Sequence, residues 1–237
     1  MKWKIGTVEI PNRFVLAPMA GVTDLAFRRL CKEQGAGLLC MEMISAKAIS
    51  YKNKNTRALM EIDPVEHPIS MQLFGSEPEL MTEVAKEIEE EPFDILDINM
   101  GCPVPKVVNN GEGSALLKNP DLIVKIVKSI SSAIQKPLTV KVRIGFENEP
   151  VDIVEIAKRV EERPFDIIDV NMGCPVPKVV NNGEGSALMK NPVLVGKIVE
   201  AMAKAVEKPV TVKIRAGFND DSINAPEIAH VIEESGG

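Results

Sequence analysis

The sequence predicts an α/β fold: a (β/α) parallel barrel of the TIM type, incomplete, with seven βα-type strands and an N-terminal hairpin. Three observations carry this. Short runs rich in Val, Ile and Leu alternate with amphipathic helical patterns along the whole chain, an order that implies a parallel sheet with right-handed crossovers. The length of 237 residues is close to that of one such barrel. Residues 92–146 recur as 164–218, an offset of 72 residues at which about 39 of 55 positions are identical. That period is too long for the common solenoids and fits two successive βα units.

The elements follow in order. Trp3–Ile5 and Val8–Ile10 read as a small hairpin. The barrel strands are Phe14–Ala17, Leu38–Met43, Ile69–Phe74, Asp94–Asn99, Leu138–Arg143, Asp166–Asn171 and Val210–Arg215, apolar enough to be buried on both faces. Between the third and fourth, Ser76-Glu77-Pro78-Glu79 reads as a capping box with an early proline. Leu80, Val84 and Ile88 follow at i+4 spacing. Asn119-Pro120 opens the next helix, whose apolar face is Leu122, Ile123, Ile126, Val127 and Ile130; Asn191-Pro192 opens its copy. The whole of 1–237 is expected to be a single partial barrel domain, with repeat copies at 84–155 and 156–227. The last helical pattern ends at Ser235-Gly236-Gly237, where a further strand is due. An open sheet edge favours homo-oligomers.

Composition narrows the function classes. A net charge of −6 and 45% hydrophobic residues exclude a disordered acidic chain and a globally basic nucleic-acid coat. Aromatic residues make up only 4%, too few for a platform that stacks several bases. No apolar run reaches the roughly 18 residues of a membrane span, and the N-terminus lacks the pattern of a signal peptide. Cys31, Cys40, Cys102 and Cys174 form no disulfide framework and no zinc-ligand spacing. The reading is a reduced, cytoplasmic protein.

In a parallel barrel, chemistry sits at the carboxyl ends of the strands. After the first strand comes Ala17-Pro18-Met19-Ala20-Gly21-Val22-Thr23-Asp24, small enough for backbone to approach a flat ligand; it also serves as a plain turn capped by Thr23 or Asp24. Gln72, near the end of the third strand, can both donate to and accept from a heterocycle, or be a polar strand end. The fourth strand runs into Asn99-Met100-Gly101-Cys102-Pro103, which places a thiol where it can act as acid or nucleophile, or simply pack as a small hydrophobe. Lys141 and Arg143 lie two apart and so on one face of the fifth strand. Facing inward they need an anionic partner, which a bound phosphate or an anionic reduced ring would supply. The Gly111–Leu116 stretch, GEGSAL, is a weak phosphate-loop signal. His67 and His230 have no evident partner in the sequence.

Together these motifs resemble the tRNA-dihydrouridine synthases, FMN enzymes built on a TIM barrel. The likeness is carried by Ala17-Pro18-Met19-Ala20-Gly21, Cys40-Met41-Glu42-Met43, Gln72-Leu73-Phe74-Gly75, Asp97-Ile98-Asn99-Met100-Gly101-Cys102-Pro103, Lys106 and Lys141-Val142-Arg143, in order over residues 1 to about 146. The fourth-strand motif is also similar to that of dihydroorotate and dihydropyrimidine dehydrogenases. The resemblance implies FMN as cofactor, NADPH as reductant and a uracil base of tRNA as substrate. It implies that Pro18, Met19 and Ala20 line the flavin, that Gln72 bonds the ring edge, and that Lys141 (duplicate Lys213) faces the N1/O2 side. Cys102 (duplicate Cys174) would be the proton donor to C5, and Asn99, Lys106 and Arg143 would bind substrate. The first copy follows the third strand in the family's order and is therefore the expected working copy. The family's sixth strand with its His and Arg, its Asn-Gly-Asp and Gly-Arg phosphate segments and its C-terminal helical tRNA-binding domain have no counterpart; a second copy of strands four and five stands there instead. Two other readings stay open at this point: a catalytically inactive barrel fragment, and an FMN enzyme acting on free pyrimidines.

Overall fold

The computed structural model describes residues 3–146, 149–161 and 165–237. The repeat's segments at 147–148 and 162–164 lie outside the described residues. The fold is α/β. Its seven parallel strands follow one another with helical crossovers in the succession of an incomplete (β/α) barrel, preceded by an N-terminal hairpin. The chain divides into two compact units.

The first unit comprises Met1–Asn99, Lys125–Thr139 and Pro164–Asp166. Its hairpin is β1 (Trp3–Ile5) against β2 (Val8–Ile10), antiparallel. Then come β3 (Val15–Leu16), α1 (Leu25–Glu33), β4 (Leu38–Ser45), α2 (Ala46–Ser50), α3 (Lys54–Leu59), β5 (Ile69–Phe74), α4 (Pro78–Ile88) and β6 (Ile95–Asn99). β3, β4, β5 and β6 pair in that order, all parallel. Leu39, Met41, Ile69, Met71, Ile95 and Ile98 are wholly buried along these strands, each contributing roughly 1.5–3 kcal/mol by leaving water. Asp24 caps α1, accepting from the Phe27 amide at 2.8 Å. The expected capping box on α4 is not formed: Glu77 is the N-cap residue and its side chain makes no capping bond, with Pro78 opening the helix instead. Inside this unit Arg28 is 2% exposed and its guanidinium lies 2.6 Å from the fully buried Glu66. Glu66 also closes a capping box with Asp63. Charge and backbone satisfaction are thus solved together.

The second unit comprises Met100–Val124, Val140–Arg163 and Ile167–Gly237. It holds α5 (Pro105–Val108), α6 (Pro120–Ser131) over its first residues, β7 (Leu138–Val142) from Val140 onward, and the short antiparallel pair β8 (Gly145–Phe146) with β9 (Glu149–Pro150). It continues with α7 (Ile153–Glu161), β10 (Ile167–Asn171), α8 (Pro177–Val180), α9 (Pro192–Ala205), β11 (Val210–Lys213) and α10 (Ala225–Glu234). β10 pairs parallel with β11 and lies next to β7. Ile168, Val170 and Met172 from β10 and its exit are wholly buried, as are Val195, Val199 and Met202 from α9. Five of the expected strands extend a residue or two past those formed at one or both ends, whereas β4 runs on to Ser45, beyond the expected Met43; α2, α3 and the β8–β9 pair are additional.

The repeated sequences fold alike. β6, α5, a 3-10 turn at Gly113–Lys118, α6 and β7 in one copy match β10, α8, a 3-10 turn at Gly185–Lys190, α9 and β11 in the other. Asn119 and Asn191 each accept from the amide three residues on, at 3.1 and 3.0 Å.

Candidate active site

In the first unit, β3 leads into the Pro18–Thr23 turn. Val22 and Thr23 amides donate to the Met19 carbonyl, each at 3.0 Å, and the Met19 amide donates to the buried Thr23 hydroxyl at 3.1 Å. Glu42, on β4, accepts from the Gly21 amide. The turn is thereby rigid, with Pro18 and Met19 half-buried and Ala20 exposed. Gln72 is wholly buried on β5. Its amide donates to Asp97, and its carbonyl oxygen accepts from Asn99 Nδ2 at 2.9 Å. Thr139 Oγ1 donates to Asp97 at 2.6 Å. Gln72, Asp97, Asn99 and Thr139 therefore form one buried polar network across successive strands, in which each member fixes its neighbour's orientation.

In the second unit, the stretch after β6 is held against β7: the Met100 amide donates to the Lys141 carbonyl at 2.7 Å. A Cβ on Gly101 would stand 3.3 Å from the Val142 carbonyl oxygen, so a bare residue suits this approach. Cys102 follows, half-buried. Burial pushes its thiol pKa up, outweighing the Val104 amide that donates to the sulfur and the nearby Arg143 charge. The neutral thiol, the form a proton donor needs, is thereby favoured. The GEGSAL stretch does not form a free phosphate loop. Ser114 donates its amide to the Cys102 carbonyl at 3.0 Å. Gly113, at φ +59°, passes so close that a Cβ would lie 2.6 Å from that oxygen. Gly185 and Ser186 do the same for Cys174 in the other copy. The stretch is a buttress for the cysteine loop.

Lys141 and Arg143 are each 5% exposed. Their anionic partners are carboxylates of the chain itself: Lys141 pairs with Asp169 and Arg143 with Glu184. Lys106 is exposed on α5. Lys213, the copy of Lys141, is half-buried; burial pushes its ammonium pKa down, opposed by the nearby Cys174 and helped by Arg215. Beside Arg143 a cavity lined by Pro103, Ser114, Phe146, Lys178 and Glu184 has room for about one water.

The first unit thus gathers Pro18, Met19, Ala20, Gln72 and Asn99, and the second gathers Cys102, Lys106, Lys141 and Arg143 with the copies Cys174 and Lys213. Sequence reasoning missed Asp97, Asp169 and Glu184 as organising residues; for the two aspartates the signal was an acid embedded mid-strand among Ile, Leu and Val, and Glu184, before a 3-10 turn, carried none. It also left both histidines without partners, whereas His67 Nδ1 lies 2.8 Å from Asp94 and His230 Nε2 lies 3.2 Å from Glu234. Asp94 precedes its strand in the sequence but is brought back to His67 by the β5–β6 pairing.

Comparison with known proteins adds independent findings. The family model for dihydrouridine synthase matches residues 15–163 and again 146–237. The chain is 33% identical over 234 residues to tRNA-dihydrouridine synthase B of Pseudomonas aeruginosa, covering 98% of this chain and 65% of that protein. It is 36% identical over 234 residues to tRNA-dihydrouridine synthase B of Vibrio vulnificus, covering 98% and 67%. It is 41% identical over 160 residues to probable tRNA-dihydrouridine synthase 1 of a Synechocystis species, covering 67% and 45%. The chain spans about two thirds of the length of the first two of these relatives.

Proposed function

The chain belongs to the dihydrouridine synthase family, and on that premise we propose that it reduces uridine in tRNA to 5,6-dihydrouridine, with FMN as cofactor and NADPH as reductant. The observation that supports this reading most is Cys102: a thiol at the exit of β6, kept protonated by burial and fixed by the Gly113–Ser114 buttress.

The residues present suit a flavin in kind. Pro18, Met19 and Ala20 would line the ring, and the Gln72 amide, already oriented by Asp97 and Asn99, would bond its edge. A lysine at the shared strand position, Lys141 or Lys213, would face the negative charge of the reduced form. When bound, FMN supplies hydride to C6 of the base. Cys102 gives its proton to C5, and its raised pKa keeps that proton available at neutral pH. Asn99 and Lys106 would hold the substrate, beside an Arg143 whose guanidinium is engaged by Glu184. A uracil within folded tRNA must be extruded to be reached. Among the described residues no helix is long and apolar enough to cross a membrane, and we place the protein in the cytoplasm with its tRNA.

The test is direct. Purified chain, FMN, NADPH and unmodified tRNA are combined, and dihydrouridine is quantified. Dihydrouridine formation that Cys102→Ala abolishes, while NADPH oxidation continues, supports the reading. Loss only with Cys174→Ala reverses the choice of copy. Protein that stays colourless with added FMN, and makes no product, overturns the enzymatic reading in favour of a non-catalytic barrel fragment.

A further inference from the structure

The duplication copies residues but not their surroundings. Asp97 and Asp169 occupy the same position in β6 and β10, and each is bonded by the strand on either side. On the following strand the partner is the same: Thr139 donates to Asp97 and Thr211 donates to Asp169 at 2.8 Å. On the preceding strand it differs. Asp97 meets Gln72, a neutral amide, whereas Asp169 meets the ammonium of Lys141. On the preceding strand the same carboxylate thus accepts from an amide in one copy and from an ammonium in the other. Glu184 does the equivalent for Arg143.

Lys213 and Arg215 are the copies of that cationic pair, and their setting is the reverse. In the β10–β11 register, Asp169 faces Thr211 and Asn171 faces Lys213. The Met172 amide donates to the Lys213 carbonyl at 2.9 Å. A Cβ on Gly173 would stand 3.2 Å from Lys213 Nζ, so the ammonium lies over this bare glycine beside Cys174. Arg215, exposed two residues on, adds like charge to the same locus. Among the described residues neither cation has a carboxylate partner. A half-buried ammonium next to a guanidinium, without counter-charge, is stabilised by an anion from outside the chain.

We propose that Lys213 with Arg215, and not Lys141 with Arg143, is the external anion-binding pair of this chain. Asp169 and Glu184 act as internal counter-ions that commit the first pair to the fold. The ligand is an anionic group of the flavin, either its phosphate or its reduced ring; that identity rests on the function proposed above, whereas the exchange of roles between the copies does not.

Competitive labelling of the intact chain with an amine-acylating reagent, read residue by residue by mass spectrometry, tests this. Lys213 should acylate at least about fivefold faster than Lys141, because Lys141 is 5% exposed and engaged by Asp169, whereas Lys213 is only half-buried and burial pushes its ammonium pKa down. Asp169→Asn should raise Lys141 labelling toward the Lys213 rate. Inorganic phosphate, FMN, and riboflavin reduced with dithionite are then added separately as protectants, and flavin binding is followed by fluorescence quenching. Protection of Lys213 by phosphate and FMN assigns the phosphate group; protection by FMN and reduced riboflavin but not by phosphate assigns the ring. In either case Lys213→Met should weaken FMN binding about tenfold and Lys213→Arg should restore most of it. Phosphate protection without any flavin binding upholds the anion site and sinks the flavin reading. FMN that binds while leaving Lys213 unprotected, labelling of Lys141 as fast as Lys213, or no protection by any of the three, overturns the proposal.

Discussion

Asn99 Nδ2 donates to Gln72 Oε1 across 2.9 Å, and the Gln72 amide donates onward to Asp97. Both ends of the Gln72 side chain are thus engaged within the first unit. Gln72→Leu removes one partner from each of Asn99 and Asp97 in a buried setting. The variant should lose about 1–3 kcal/mol of stability, measured as a lower urea midpoint with an unchanged slope.

The Cys102 thiol gives a pH test that needs no substrate. Its pKa is raised, so the thiolate is populated only above the range of an ordinary cysteine. Since the thiolate is the nucleophile, alkylation of Cys102 by iodoacetamide should be slow at pH 8 and climb steeply at higher pH. A thiol that alkylates fully at neutral pH would contradict the acid role.

The ion pair between Arg28 and Glu66 is buried at both ends. Glu66→Ala leaves the guanidinium without its counter-charge while also dissolving the capping box with Asp63. A loss of about 3–5 kcal/mol is expected, read as a large drop in Tm; Glu66→Gln should lose less, because it keeps an acceptor for the guanidinium.

β11 is an end strand, paired with β10. Exposed strand edges recruit further strands, so the purified chain should form dimers or larger species in light scattering at micromolar concentration. A single monomeric mass across a dilution series would be the opposing result.

Much of this was legible in the letters because the governing patterns are local. Alternation of Val- and Ile-rich runs with i+4 spacing fixed the order of strands and helices, and Ile69–Phe74 formed with the predicted bounds. The identity of Asn119 and Asn191 as caps follows from the side chain and the proline beside it. What stayed hidden is pairing at a distance. Nothing near Lys141 indicates Asp169, and nothing near Arg143 indicates Glu184, because each pair is made by placing one copy's strand beside the other's acid. The sequence marked the two cations as needing an anion but pointed to a ligand. The same limit hid Asp94 from His67. The glycine-rich stretch was misleading for a related reason: Gly113 is required by the carbonyl of Cys102, a neighbour that spacing alone does not show.

The 72-residue offset between the copies contains two strands of the parallel sheet and the helical crossovers that follow them. An insertion of that size adds strands that run in the same direction as those already present, so no segment has to reverse its polarity. A recombination slip between two stretches of identical letters can yield only in-phase products, longer or shorter by the same quantum. Chain length in such an architecture is free to change in steps, and each step carries a complete set of acids and cations whose meaning is decided afresh by whichever strand it lands beside.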